Sequence, residues 1–312
     1  MSAFLLAAAL AAAAPAAERP LTAPGPLAPL SATLIDAGRN RPVIVIIPGS
    51  GPTDRDGNNP LGVTAASYRL LAEALAKRGI STVRIDKRGM FGSKAAIANG
   101  NDVTIAAYAA DAHAWAKAAR AATGAKCVWV LGHSEGSLVA LSAGQARTDL
   151  CGVISVSGMG RKSGDVLREQ LRANPANAPI LAPALATLDS LEKGQRVDAK
   201  TLPAPLQQLF ADSVQTYLMN LMAQDPTRLA ATLKLPLLIV QGDRDLQVKV
   251  TDAKALAAAQ PKAKLAILPG VNHVLKIVAS DSPAANFATY SDPSLPIAPS
   301  VVDAIVGFVG KH

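Results

Sequence analysis

Short β-rich runs, mostly apolar, alternate along the chain with longer stretches in which apolar residues return every three or four positions. The short runs are Val43 to Ile47, Thr82 to Ile85, Val128 to Leu131, Val153 to Val156, Leu237 to Val240 and Leu265 to Leu268. A run that is apolar on both faces suits a central strand of a parallel sheet, because a half-solvated strand would alternate. Between the first two runs, Thr64 is expected to cap a helix carrying Tyr68, Leu71 and Leu75, with Gly79 ending it. After the second, Asp102 is expected to cap a helix with Ile105, Tyr108, Ala112 and Trp115 on one face. A further helical pattern runs from Leu138 to Arg147. The alternation predicts an α/β class protein, with a mostly parallel sheet flanked by helices.

From Gly160 to about Leu233 the rhythm changes to Leu-, Ala- and Gln-rich helical stretches broken by Pro175, Pro179, Pro183, Pro203, Pro205 and Pro226. Asp225-Pro226 is a good helix start, with proline at the first helical position. Residues 160–233 are therefore expected to form a helical cap that roofs a pocket, inserted between two parts of the core at 40–159 and 234–312. At the other end, Phe4 to Ala14 is apolar but too short to span a bilayer, and Ala14-Pro15-Ala16 has the small-x-small pattern of a cleavage site. Residues 1–16 read as a signal peptide, which predicts a periplasmic or secreted protein with no stable membrane insertion. The Pro-rich stretch Glu18 to Pro29 reads as extended, within a leader at 17–39.

At 312 residues, half of them apolar, the chain can bury a full core. The formal charge of +8 comes from scattered Lys and Arg without interleaved aromatics, so no nucleic-acid partner is expected. Cys127 and Cys151 each precede an apolar run. At matching starts of neighbouring strands they could meet disulfide geometry, and an oxidising compartment would favour the bond over two buried thiols.

The sharpest local signal is the strand Val128 to Leu131 running into Gly132-His133-Ser134-Glu135-Gly136 and then a helix. A strand-to-helix turn this tight tolerates no side chain at the two glycine positions, and it exposes the serine hydroxyl above the sheet. A serine needs a base. Of the four histidines, His133 adjoins the serine and points away, His312 is terminal and His113 lies mid-helix. That leaves His273, in the loop after the last predicted strand. A carboxylate must hold its tautomer, and the loop after Leu237 to Val240 offers Asp243 and Asp245; Asp245 is preferred because it projects farther past the strand end. The oxyanion donors expected are the backbone N–H of Glu135, after the nucleophile, and that of Ser50 in the loop after the first strand, with Gly49 as the alternative.

With these residues in place, the chain resembles the α/β-hydrolase superfamily, and within it bacterial esterase-like members whose oxyanion loop reads like Gly49-Ser50-Gly51-Pro52-Thr53-Asp54-Arg55-Asp56-Gly57. Asp86-Lys87-Arg88-Gly89-Met90-Phe91-Gly92-Ser93 is similar to the D-x-R-G-x-G-x-S loop of that family, with one extra residue before Gly92. The order Ser134, Asp245, His273 also matches the family's. The resemblance implies an eight-stranded, mostly parallel sheet, a Ser-His-Asp triad, no cofactor and no metal. Asp54, Arg55, Asp56 and Arg88 are expected to brace the loop, with substrate contact as the alternative. The function expected is a serine carboxylic-ester hydrolase acting on a small-molecule ester. A thioesterase or peptidase of the same fold, or a non-catalytic envelope binding protein, is the other reading.

Overall fold

The computed structural model describes residues 17–146 and 149–312; the expected signal peptide lies outside them. Its eight strands are β1 (Glu18–Ala23), β2 (Leu30–Ile35), β3 (Val43–Ile47), β4 (Ser81–Ile85), β5 (Val128–His133), β6 (Leu150–Val156), β7 (Leu237–Gly242) and β8 (Lys264–Leu268). They form a single sheet in the order β1-β2-β4-β3-β5-β6-β7-β8. β4 through β8 run parallel, while β1 and β2 are antiparallel at one edge.

That edge corrects the reading of residues 17–39 as a leader. Leu30, Ala32 and Leu34 are buried on one face, alternating with Ser31 and Thr33, and β1 pairs with β2 along its length. Pro20 obscured the strand; an edge strand tolerates proline because one side of its backbone has no partner.

The helices are α1 (Ser67–Ala76), α2 (Ile105–Thr123), α3 (Glu135–Ala143), α4 (Ser163–Ala173), α5 (Leu181–Glu192), α6 (Ala204–Leu209), α7 (Asp212–Met222), α8 (Pro226–Thr232), α9 (Val250–Ala259), α10 (Pro283–Ala288) and α11 (Pro299–Val309). Successive strand residues face opposite layers. Val43, Val45, Val128, Val130 and Ile239 pack with residues of α2, α3 and α9, whereas Ile44, Ile46, Leu131, Ile154 and Leu238 pack with residues of α1 and α11. Helices α4 to α8 lie between β6 and β7; Ala184, Leu188, Leu191, Leu206, Phe210 and Met222 give α4 to α7 a small core of their own, while Ala230 of α8 joins the main core. Among the described residues no helix is long and apolar enough to cross a membrane.

Three helix starts differ from expectation. Thr64 does not cap α1; its hydroxyl donates to Ser291 O, and the capping position is Ala66 at φ 52°. The hydroxyl of Thr104, not Asp102, caps α2 by accepting the Ala107 N–H. α3 begins at Glu135 rather than Leu138, because the strand passes into the helix through one residue, Ser134.

Cys127 and Cys151 form a disulfide, with Cα atoms 5.2 Å apart, at the starts of β5 and β6. It closes a segment of 24 residues, so reduction is expected to lower stability by about 3 kcal/mol. Denaturant unfolding with and without a reductant checks this; coincident curves would contradict it.

The polarity of the sheet decides where chemistry can occur. β3 has β4 on one side and β5 on the other, so the chain leaves β3 in one direction and later returns to its opposite flank. The carboxyl ends of β3 and β5 flank this switch point, where α/β sheets open a crevice for ligands.

Candidate active site

Two loops meet at that crevice, the one after Ile47 and the turn at Ser134. The turn is held in a strained conformation, with Ser134 at φ 54°, ψ −120°. A Cβ on Gly132 would overlap the carbonyl of Gly136, and one on Gly136 would overlap the carbonyls of Ile47 and Pro48. Glycine at both places therefore lets β5, α3 and the β3 loop approach one another. The first amides of α3 have no carbonyl to bond within the helix, which makes this terminus receptive to negative charge.

His273 Nδ1 donates to Asp245 Oδ2 at 2.8 Å. Asp245 is almost fully enclosed. Its Oδ1 accepts the backbone N–H groups of Gln247 (2.8 Å) and Val248 (2.9 Å), and its Oδ2 also accepts from Gln241 Nε2 (3.1 Å). Burial pushes the carboxyl pKa up, but His273 and these amides outweigh it and hold Asp245 below its ordinary value. The group stays ionised, oriented and in contact with the imidazole. Asp243, the alternative, neither pairs with Arg244 nor caps a helix; it accepts the Gly270 N–H at 2.7 Å and ties the ends of β7 and β8 together.

Sequence reasoning missed what joins this pair to the serine. His133 does point away from Ser134, but it is buried and fully used. Its Nε2–H donates to the carbonyl of His273 at 2.8 Å, which leaves Nδ1 bare to accept the Tyr68 hydroxyl at 2.8 Å. Tyr68 in turn accepts the Gly49 N–H at 3.0 Å. One relay, Gly49 to Tyr68 to His133 to His273, thus fastens the β3 loop, the serine turn and the histidine loop. The pattern Tyr68-x-x-Leu71 signalled only a buried face. Of the two loop amides, that of Gly49 is given to Tyr68, while Ser50 lines the same cavity as Ser134 and His273.

Burial, together with the neighbouring His273, lowers the His133 pKa from 6.5 to about 3. Between those values the unfolded chain holds a proton that the folded chain refuses. The stability is therefore fully present above about pH 6.5 and declines as pH falls toward 3, by roughly 1.4 kcal/mol per pH unit from this group. The loss that follows protonation of Asp245 comes lower, beneath its ordinary 3.8. Urea unfolding at pH 6.5, 5.5 and 4.5 should show the slope, and His133→Gln should flatten it; an unchanged slope in the variant would contradict the assignment.

Beneath the serine, Lys87 and Glu135 form a buried pair. Lys87 Nζ donates to Gly49 O at 2.5 Å and lies 3.5 Å from Glu135 Oε1. Burial lowers the Lys87 pKa while Glu135 raises it. The charged residues of the loops act as braces. Arg55 bonds Asp86, Ser31 and Thr33; Arg84 pairs with Asp56 and Glu18; Arg88 Nε donates to Asp111 at 2.9 Å; and Asp54 accepts the amides of Asp56 and Asn58. In the helical insertion, Arg161 and Arg168 are likewise spent on carboxylates.

Comparison with known proteins follows this geometry. The family described as "Serine aminopeptidase, S33" matches residues 61–277, well over half of the chain. Esterase EstD of Thermotoga maritima is 25% identical over 241 residues, 75% of this chain and 54% of that protein. The chain thus spans about half the length of the curated relative it matches. Among solved structures, a thermophilic esterase from Thermogutta terrifontis superposes with a TM-score of 0.56 at 17% identity, covering 95% of this chain and 99% of that one. A puromycin-hydrolysing peptidase of Mycobacterium tuberculosis gives a TM-score of 0.57 at 18% identity, covering 97% of this chain and 40% of the other. The fold is that of an α/β-hydrolase.

Proposed function

Because the chain belongs to the serine aminopeptidase S33 family of hydrolases, we propose that it is an exported carboxylic-ester hydrolase working through an acyl-serine at Ser134. The observation that carries this reading is the His273–Asp245 hydrogen bond at 2.8 Å, joined through His133 to a strained serine turn on the same cavity. Ser134 Oγ attacks the ester carbonyl as His273 Nε2 takes its proton, and Asp245 stabilises the imidazolium. The backbone N–H groups of Ser50 and Glu135 receive the oxyanion. Collapse expels the alcohol, which leaves with the proton from His273. Water then repeats the sequence, releasing the acid and restoring the serine. The relationship to EstD supports ester substrates. The disulfide supports an oxidising compartment, in keeping with the short apolar segment at Phe4 to Ala14.

The family description raises aminopeptidase activity as the second reading. Such an enzyme needs an uncompensated carboxylate to hold the substrate's α-ammonium. Glu135, which lines a second cavity of about 590 Å³ that also opens on Ser134, has an ammonium 3.5 Å away in Lys87. This favours the ester. A panel of p-nitrophenyl esters, acyl thioesters and aminoacyl p-nitroanilides separates the readings: kcat/KM is expected to be highest on the short esters, and turnover confined to the anilides would overturn the proposal.

A further inference from the structure

Lys87 stands just past β4 and is 2% exposed. Burial opposes its charge, and apolar residues of similar volume often serve stability as well as a buried ion pair does. What the ammonium touches gives it another use. Its Nζ donates to Gly49 O at 2.5 Å, lies 3.5 Å from Glu135 Oε1 and sits 5.6 Å from the centre of the Tyr108 ring. On the acyl-serine reading, on which this inference rests, Gly49 O belongs to the peptide that supplies one oxyanion donor, and Glu135 supplies the other.

The carbonyl that Lys87 grips and the N–H of Ser50 are two ends of one peptide unit. That unit is trans and planar, so its C=O and N–H point in opposite directions. A side chain that fixes the oxygen on one side therefore fixes the direction of the Ser50 N–H on the other. The backbone before it is held too, through the Gly49 N–H donated to Tyr68 at 3.0 Å. This stretch lies against the nucleophile, since a Cβ on Gly49 would stand 3.2 Å from Ser134 Cβ. Donation from an ammonium also polarises the amide, which strengthens its N–H as a donor. The second contact acts on charge. The Glu135 carboxylate, 1% exposed, hangs from the residue whose own N–H is the other donor, and left alone it would oppose an oxyanion there; Lys87 compensates it.

We infer that Lys87 is the positioning residue of the oxyanion site, aiming the Ser50 N–H through the Gly49 carbonyl. It acts through that peptide and not by contact with the substrate.

Lys87→Met keeps the length of the side chain and removes the ammonium. Its kcat on p-nitrophenyl butyrate is expected to fall by about 10²-fold, the scale of one lost oxyanion donor, with KM within about threefold of wild type because ground-state binding does not draw on that donor. A second readout is inhibition by 1,1,1-trifluoropentan-2-one, whose carbonyl accepts Ser134 and places an oxyanion in the site, set against the matching trifluoro alcohol, which has no carbonyl to attack. The ketone should weaken by about the same factor as kcat and the alcohol should not; their ratio is insensitive to the fraction of folded enzyme. The double variant Lys87→Met/Glu135→Gln leaves no buried carboxylate stranded, so it guards against a folding failure of the single variant, and it should keep at least about a tenfold loss of kcat. Full recovery of kcat in the double variant would reduce Lys87 to a charge partner and overturn the inference. So would a Lys87→Met enzyme with kcat and ketone affinity unchanged, or with ketone and alcohol weakened alike. A wild-type protein that turns over no ester and binds the ketone no better than the alcohol overturns the acyl-serine reading, and this inference with it.

Discussion

Replacing Ser134 by alanine is expected to lower ester turnover by about 10⁶-fold, the scale seen when a triad nucleophile is removed and only binding and oxyanion contacts remain. The fold should survive. Alanine meets the same backbone constraint at φ 54° as serine, and the contacts that hold the turn come from Gly132, Gly136 and His133 rather than from the serine hydroxyl. The variant should therefore match the wild type in far-UV circular dichroism and in unfolding midpoint while its kcat on p-nitrophenyl butyrate drops to background. Undiminished turnover would remove Ser134 from the mechanism, and loss of both activity and fold would show that the hydroxyl bears on structure.

The second large effect belongs to the carboxylate. Asp245→Asn keeps the size of the side chain and an oxygen able to accept the Gln247 and Val248 amides at Oδ1. What changes is the partner of His273. The ring's Nδ1–H now meets an atom whose neighbours, including the Gln241 amide, require it to accept and whose amide hydrogens require it to donate. The imidazole turns or changes tautomer, and the imidazolium formed in the transition state loses its counter-charge. Turnover is expected to fall by about 10⁴-fold, with KM little altered because Asp245 lines neither cavity that opens on the serine. A fall confined to KM would contradict this role.

Much of the fold was legible because a buried parallel strand carries its burial on every residue. Val43 to Ile47 and Leu237 to Val240 stand out in sequence because each lies inside the sheet with a strand on either side and is buried at every position. β1 and β2 were hidden by the opposite circumstance. β1, at the edge, is mostly exposed and carries Pro20, and β2 alternates buried with half-buried residues, so neither stands out as a continuous apolar run. The serine turn was legible because a steric demand falls on fixed positions, Gly132 and Gly136. Asp245 and His273 were placed at strand ends by position and elimination, and the structure brings them to 2.8 Å. The relay through Tyr68 and His133 had no such signature. Its partners are 65 and 140 residues apart in the chain, and each alone looks like an ordinary buried aromatic. The same holds for Lys87 and Glu135, whose pairing depends on two loops closing over one another.

The most direct measurement of the central claim is covalent. Incubation with a fluorophosphonate, followed by digestion and mass spectrometry, should place one adduct on the peptide containing Ser134 in the wild-type protein and none in Ser134→Ala, with labelling slowed strongly in His273→Ala. An unlabelled wild-type protein, or an adduct on another residue such as Ser50 or Ser157, would contradict the account.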